Sequence, residues 1–170
     1  MKRMQLFFLM PVLMAALPAV ADERLFLQVP ALIDAAAPIP EAVRKECALE
    51  TLMASEALAA IGKRMGAVQA IEMAEQAGDA PRVELTIMAA FGEGGGGITG
   101  PKSMTIRANL KKGGVTLATT LLTRESSRGF MGGMLTGTCS VFNRISAALG
   151  KDVALWLSRD ATLAAAAAGK

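Results

Sequence analysis

The chain has no histidine and no tyrosine among its 170 residues. Without histidine, Ser-His-Asp and Cys-His catalysis are excluded, and nearly every zinc site with them. Aromatic residues make up 4% of the chain, with a single Trp. That scarcity argues against a platform on which nucleic-acid bases could stack. No Asn-x-Ser/Thr sequon occurs: Asn109 precedes Leu110-Lys111 and Asn143 precedes Arg144-Ile145. Its absence favours a bacterial periplasm over a eukaryotic secretory route. No apolar run reaches the roughly 20 residues of a membrane span.

What the chain does have begins at its first residues. Met1-Lys2-Arg3 is a short basic start, Met4 to Ala16 a mostly apolar run, and Leu17-Pro18-Ala19-Val20-Ala21 an Ala-x-Ala ending. This is the order of a secretory signal peptide, with cleavage expected after Ala21. The first Cys is Cys47, so no cysteine stands where lipid attachment would need one. The expected organisation is a signal at 1–21, one domain at 22–159 and an alanine-rich, frayed or disordered tail at 160–170. No stable membrane anchor is expected after cleavage.

The formal charge of +3 falls to +1 without Lys2 and Arg3. Residues 22–100 hold 6 basic and 12 acidic side chains, and residues 101–170 hold 10 basic and 3 acidic. A basic half can mark an anion-binding face. Equally, the two halves can neutralise each other across a compact fold. Two cysteines in an oxidising compartment most simply form a disulfide. Cys47 and Cys139 are expected to pair, since neither the close spacing of a redox couple nor further metal ligands are present.

Arg24 to Val29 reads as a strand, and residues 30–40, with three prolines, as an irregular connection. A helical stripe follows from Glu41 to about Met65, carried by Cys47, Ala54, Leu58, Ile61 and Met65. Residues 67–76 suit either a strand or a helical extension. Arg82 to Phe91 alternates, with Val83, Leu85, Ile87, Ala89 and Phe91 on one face. Ser103 to Lys112 and Val115 to Arg124 flank Gly113-Gly114, a strong hairpin signal. A two-residue loop pairs Lys112 with Val115, which sets Leu110 against Leu117 and Ile106 against Leu121. A second helix starts near Thr138 or Ser140 and carries Val141, Phe142, Ile145, Leu149, Val153 and Trp156. The expected fold is α+β: a mixed or antiparallel sheet of about four to five strands, order β-α-(β)-β-β-β-α, with two helices packed on one face.

Few residues suggest chemistry. Glu46 and Glu50 stand one turn apart on the first helix, as paired acids or as a solvated face. Gly95-x4-Gly100-Pro101-Lys102-Ser103 nearly spells a phosphate-binding loop. Pro101 removes a needed N–H, and a strand follows where such a loop would open a helix, so no nucleotide is expected. Lys102 beside Ser103 is the one nucleophile-and-base pair in sight, without an activating neighbour. The best candidate for a small anion is Arg124, Arg128, Gly133, Gly137 and Thr138, where a glycine-rich loop enters a helix N-terminus. The polar hairpin face, with Arg107 and Lys111, could meet a partner or acidic lipid headgroups, or be wet.

Arg44-Lys45-Glu46-Cys47-Ala48-Leu49-Glu50, Gly100-Pro101-Lys102-Ser103-Met104 and Gly137-Thr138-Cys139-Ser140 resemble the motifs of a group of uncharacterised bacterial secreted or periplasmic proteins. The likeness covers roughly residues 40–158. More distantly, the element order is similar to the TolB amino-terminal domain of the cell envelope. Neither resemblance supplies catalytic residues, and fold-level likeness carries no function. The sequence therefore leads to a soluble periplasmic protein, not an enzyme and without cofactor, metal, nucleotide or nucleic acid. It would bind or assemble with an envelope partner or with itself. The alternative is a small-anion or lipid-headgroup binder using the loop at 124–138.

Overall fold

The computed structural model describes residues 24–92, 100–126 and 137–159. The expected signal, Arg128, Gly133 and the alanine-rich tail lie outside the described residues. The chain forms β1 (Leu25–Gln28), β2 (Leu32–Ile33), α1 (Glu41–Glu46), α2 (Leu49–Met65), β3 (Val68–Ile71), a 3-10 turn (Ala74–Ala77), β4 (Arg82–Phe91), β5 (Lys102–Lys112), β6 (Val115–Ser126) and α3 (Thr138–Arg159). The fold is α+β, with one mixed sheet ordered β3-β1-β4-β5-β6. β1 lies parallel to β3 and β4, while β4, β5 and β6 are antiparallel. β2 continues along the same side of β4 as β1, after a cis peptide at Val29-Pro30.

The helices cover one sheet face, α2 over β1 and β3, α3 over β5 and β6. Leu27, Leu85, Ile87, Met104, Ile106 and Leu110 rise from the sheet to meet Leu49, Met53, Ile61, Phe142 and Leu149. Each such side chain, fully buried, contributes about 1.5–3 kcal/mol. The two long helices run side by side in the same direction. Cys47 bonds to Cys139 near their N-terminal ends, Gly150 lies against Glu56 and Ala57 at mid-length, and Arg64 Nε donates to Ser158 Oγ (2.6 Å) at the C-terminal ends. Their dipoles point the same way, and Lys63, Arg64 and Arg159 sit in the last turns, where cations offset the clustered negative ends.

Four local expectations are corrected. The first helix is two: Ala48, in the left-handed region with φ of 41°, separates α1 from α2. The proline-rich connection contains a short strand, β2. β4 carries a bulge at Met88, which sends Ala90 to the core and leaves Phe91 mostly exposed, reversing the sides assigned to Ala89 and Phe91. The hairpin begins in the expected register, with Lys112 opposite Val115 and Lys111 opposite Thr116, but a bulge at Leu117 then shifts it by one. Ala118 opposes Leu110, and Leu122, not Leu121, opposes Ile106. The ambiguous stretch at 67–76 resolves into β3 followed by the 3-10 turn, where Gln76 Oε1 accepts from the N–H groups of Glu72 and Met73.

Candidate functional site

The candidate site residues divide between the two faces of the sheet. On the face away from the helices, Lys111 Nζ lies 2.6 Å from Glu84, and Arg82 Nε donates to the same carboxylate at 3.1 Å. Arg82 and Glu84 are buried although their face carries no helix. One carboxylate between two cations satisfies its oxygens inside the structure, which is what a buried charge requires. Arg107 donates to Asp34 Oδ2 at 3.3 Å and touches the sulfur of the bulged Met88. Farther along, Asn109 accepts from Thr119 (2.8 Å), and the hydroxyls of Thr105 and Thr123 meet at 2.9 Å. Arg107 and Lys111 are thus held by neighbours within the fold.

Arg124 is on the other face. The bulge at Leu117 places it opposite Met104, on the helix side, where it meets Asp152 of α3. Its Nε and Nη2 donate to the two Asp152 oxygens at 2.5 and 2.6 Å. This bidentate geometry raises the guanidinium pKa above its ordinary value, chiefly through the hydrogen bonds and then through the charge. Arg124 therefore ties β6 to α3 and is not presented to a ligand at the α3 N-terminus. Of the other residues in that constellation, Gly137 is exposed and Thr138 is buried at the first turn of α3.

The remaining candidates separate as well. Glu46 ends α1 and Glu50 opens α2, so they do not share one helix face. Lys102 belongs to β5 and is almost fully buried on the core side, its stem packed against Gly92. Its ammonium lies 3.5 Å from the Gly100 carbonyl. Ser103, the next strand residue, faces the opposite side. Lys102 and Ser103 accordingly do not converge on a reacting position. Among the described residues no group of three Cys, Asp or Glu is arranged to hold a metal ion.

The open strand edge on which an assembly role would rest was not located in the sequence; it is the outer edge of β6. There a groove of about 560 Å³ runs between the strand and α3, lined by Leu121, Leu122, Arg124, Leu155, Trp156 and Arg159. Its signal was present in the uncharged run Val115 to Thr123, but the expected register buried Leu117 and Leu121. A second groove, about 580 Å³, lies between α2 and α3, with an alanine floor and Lys63, Arg64 and Lys151 at its rim.

No family model and no curated protein matches the chain. Among solved structures, PelC from Paraburkholderia phytofirmans, described as a dodecamer, is similar over 81% of this chain and 93% of its own, with 14% identity and a TM-score of 0.50. A minor lipoprotein from Acinetobacter baumannii is similar over the same shares, with 14% identity and a TM-score of 0.42. At its identity the likeness to PelC is one of fold.

Proposed function

We propose that the protein is a non-enzymatic component of the bacterial cell envelope that works by assembling with a protein partner or with itself. The observation that carries this reading is the long outer edge of the sheet at β6, with the groove beside it. Sheet edges of this kind take up strands of other chains. Most of the candidate cations, by contrast, are engaged inside the fold: Arg107 with Asp34, Lys111 with Glu84, Arg124 with Asp152. The Cys47–Cys139 disulfide supports a periplasmic location, reached through the signal at 1–21. The fold shared with PelC is consistent with such a role, and the dodecamer of that protein supports self-association as one form of it. The small-anion alternative is weaker, because Arg124 already has a bidentate carboxylate. The test is chemical crosslinking in the intact envelope, followed by purification of the protein. Recovery of a specific partner, or of crosslinked copies of this chain, is expected. A protein recovered alone, at full crosslinking efficiency, overturns the reading.

A further inference from the structure

The sheet ends on a strand paired on one side only. β6 runs for 12 residues and follows β5 along almost its full length, with no described strand beyond it. On such an edge the N–H and C=O of every second residue point outward and lack a ladder partner. Natural edges are blunted by Pro, Lys, inward charges or shortness. From Val115 to Thr123 β6 uses none of these, being an uncharged run of Val, Thr, Leu and Ala, and its inward charge, Arg124, comes only near its end. Along that uncharged run the bulge at Leu117 is the one protective device, and Ala118 to Glu125 continue beyond it in regular pairing.

Apolar exposure gathers on the same strand. Val115 is 63% exposed, Leu117 43% and Leu121 64%. Leu155 and Trp156 stand half-buried in the adjoining groove on the helix side. Single exposed apolar residues are ordinary, but a cluster along an open edge marks a contact.

We propose that this edge pairs with the same edge of a second copy, antiparallel, about a two-fold axis beside Leu121. The proposal rests on the assembly reading above and names its partner. Length supports it: the opposite edge, β3, has 4 residues, whereas β6 has 12. The charges on the strand are compatible with it. With Leu121 opposite the second copy's Leu121, Thr119 meets Thr123, Ala118 meets Arg124 and Leu117 meets Glu125, so no like charges oppose. Threonine and apolar pairs across antiparallel strands are favourable. An axis normal to the sheet keeps both helical layers on one side. The two grooves then meet across the axis, and Leu122, Leu155 and Trp156 of each copy gain apolar neighbours. Such an interface is isologous and closes on itself.

The experiment uses the protein purified after export, with Cys47–Cys139 intact, at micromolar concentration. Light scattering is expected to give the mass of two chains. Leu121→Cys is expected to give a covalent dimer on a non-reducing gel. Leu121→Arg brings like charges together at the axis and is expected to raise the dissociation constant at least tenfold, with an unchanged circular dichroism spectrum. Leu32→Arg, also at an exposed apolar position, is the control that keeps the dimer. A single-chain mass for the unaltered protein overturns the pairing. So does an assembly in which Leu121→Cys crosslinks only when combined with Gln69→Cys, since β6 would then meet β3 head to tail. If the protein is monomeric yet crosslinking in the envelope recovers another partner, the pairing fails and the assembly reading stands. Failure of both experiments removes both.

Discussion

At the scale of the residue, Gly150 illustrates what a sequence leaves out. Mid-helix glycine costs about 1 kcal/mol relative to alanine, so a surface reading makes Gly150→Ala stabilising. In the structure an added Cβ would stand 2.7 Å from the Glu56 carbonyl oxygen and 3.0 Å from the Ala57 nitrogen. These are backbone atoms and cannot rotate away. Gly150→Ala is therefore expected to destabilise the protein by about 1–3 kcal/mol through overpacking, measured by urea unfolding. Ser146, one turn earlier, makes the contrast. Its hydroxyl is buried and has no hydrogen-bond partner among the described residues. Ser146→Ala is expected to leave stability within about 1 kcal/mol of the parent or to raise it, because removing an unsatisfied hydroxyl removes its desolvation cost. Glu84 is the opposite case, a buried carboxylate holding two cations. Glu84→Gln leaves Arg82 and Lys111 close together without a counter-charge, and a loss of about 3 kcal/mol in the same assay is expected. Hydrophobic periodicity placed all three residues correctly on strand or helix. What they touch depended on contacts from distant parts of the chain, which no local pattern contains.

At the scale of the element, two bulges decide which side chains are buried. Period-2 alternation identified β4 and the hairpin, and the Gly113-Gly114 turn fixed the first two cross-strand pairs as observed. An inserted residue reverses every assignment beyond it, and alternation is blind to it because both strands still read as half apolar. In β6 the shifted register aligns two polar pairs on the open face and puts Leu122 under α3. A pair of substitutions separates the registers. Leu122→Ala is expected to cost about 1–2 kcal/mol, whereas Leu121→Ala, at a surface position, stays within about 0.5 kcal/mol when measured on the dissociated chain. The unshifted register requires the reverse order. Arg124 changed faces by the same shift. Because its folded-state pKa is raised, the pair with Asp152 stabilises the fold below the ordinary guanidinium value and is lost only as pH rises past it. Neutral-pH stability should thus be insensitive to Arg124 titration. It should fall modestly in Asp152→Asn and depend on salt, as an exposed pair does.

At the scale of the whole molecule, folding brings some of the opposite charges of the two halves together. Arg107, Lys111 and Arg124 come from the basic half. The first two find Asp34 and Glu84 in the acidic half. Interleaved strands pair charges that a linear reading separates, and the fold class and disulfide were legible where this pairing was not. The disulfide closes a loop over a sequence separation of 92. Cys47→Ser combined with Cys139→Ser is expected to cost about 2–5 kcal/mol, seen as a lower Tm that reduction of the parent reproduces. A second outcome concerns integrity, not stability. β3, β4, β5 and β6 all lie between the two bonded cysteines, inside a covalent ring. A protease that cuts once anywhere within that ring opens it without releasing a fragment, so the nicked protein keeps its full mass until a reductant divides it. This topology lets the molecule hold together across a severed backbone.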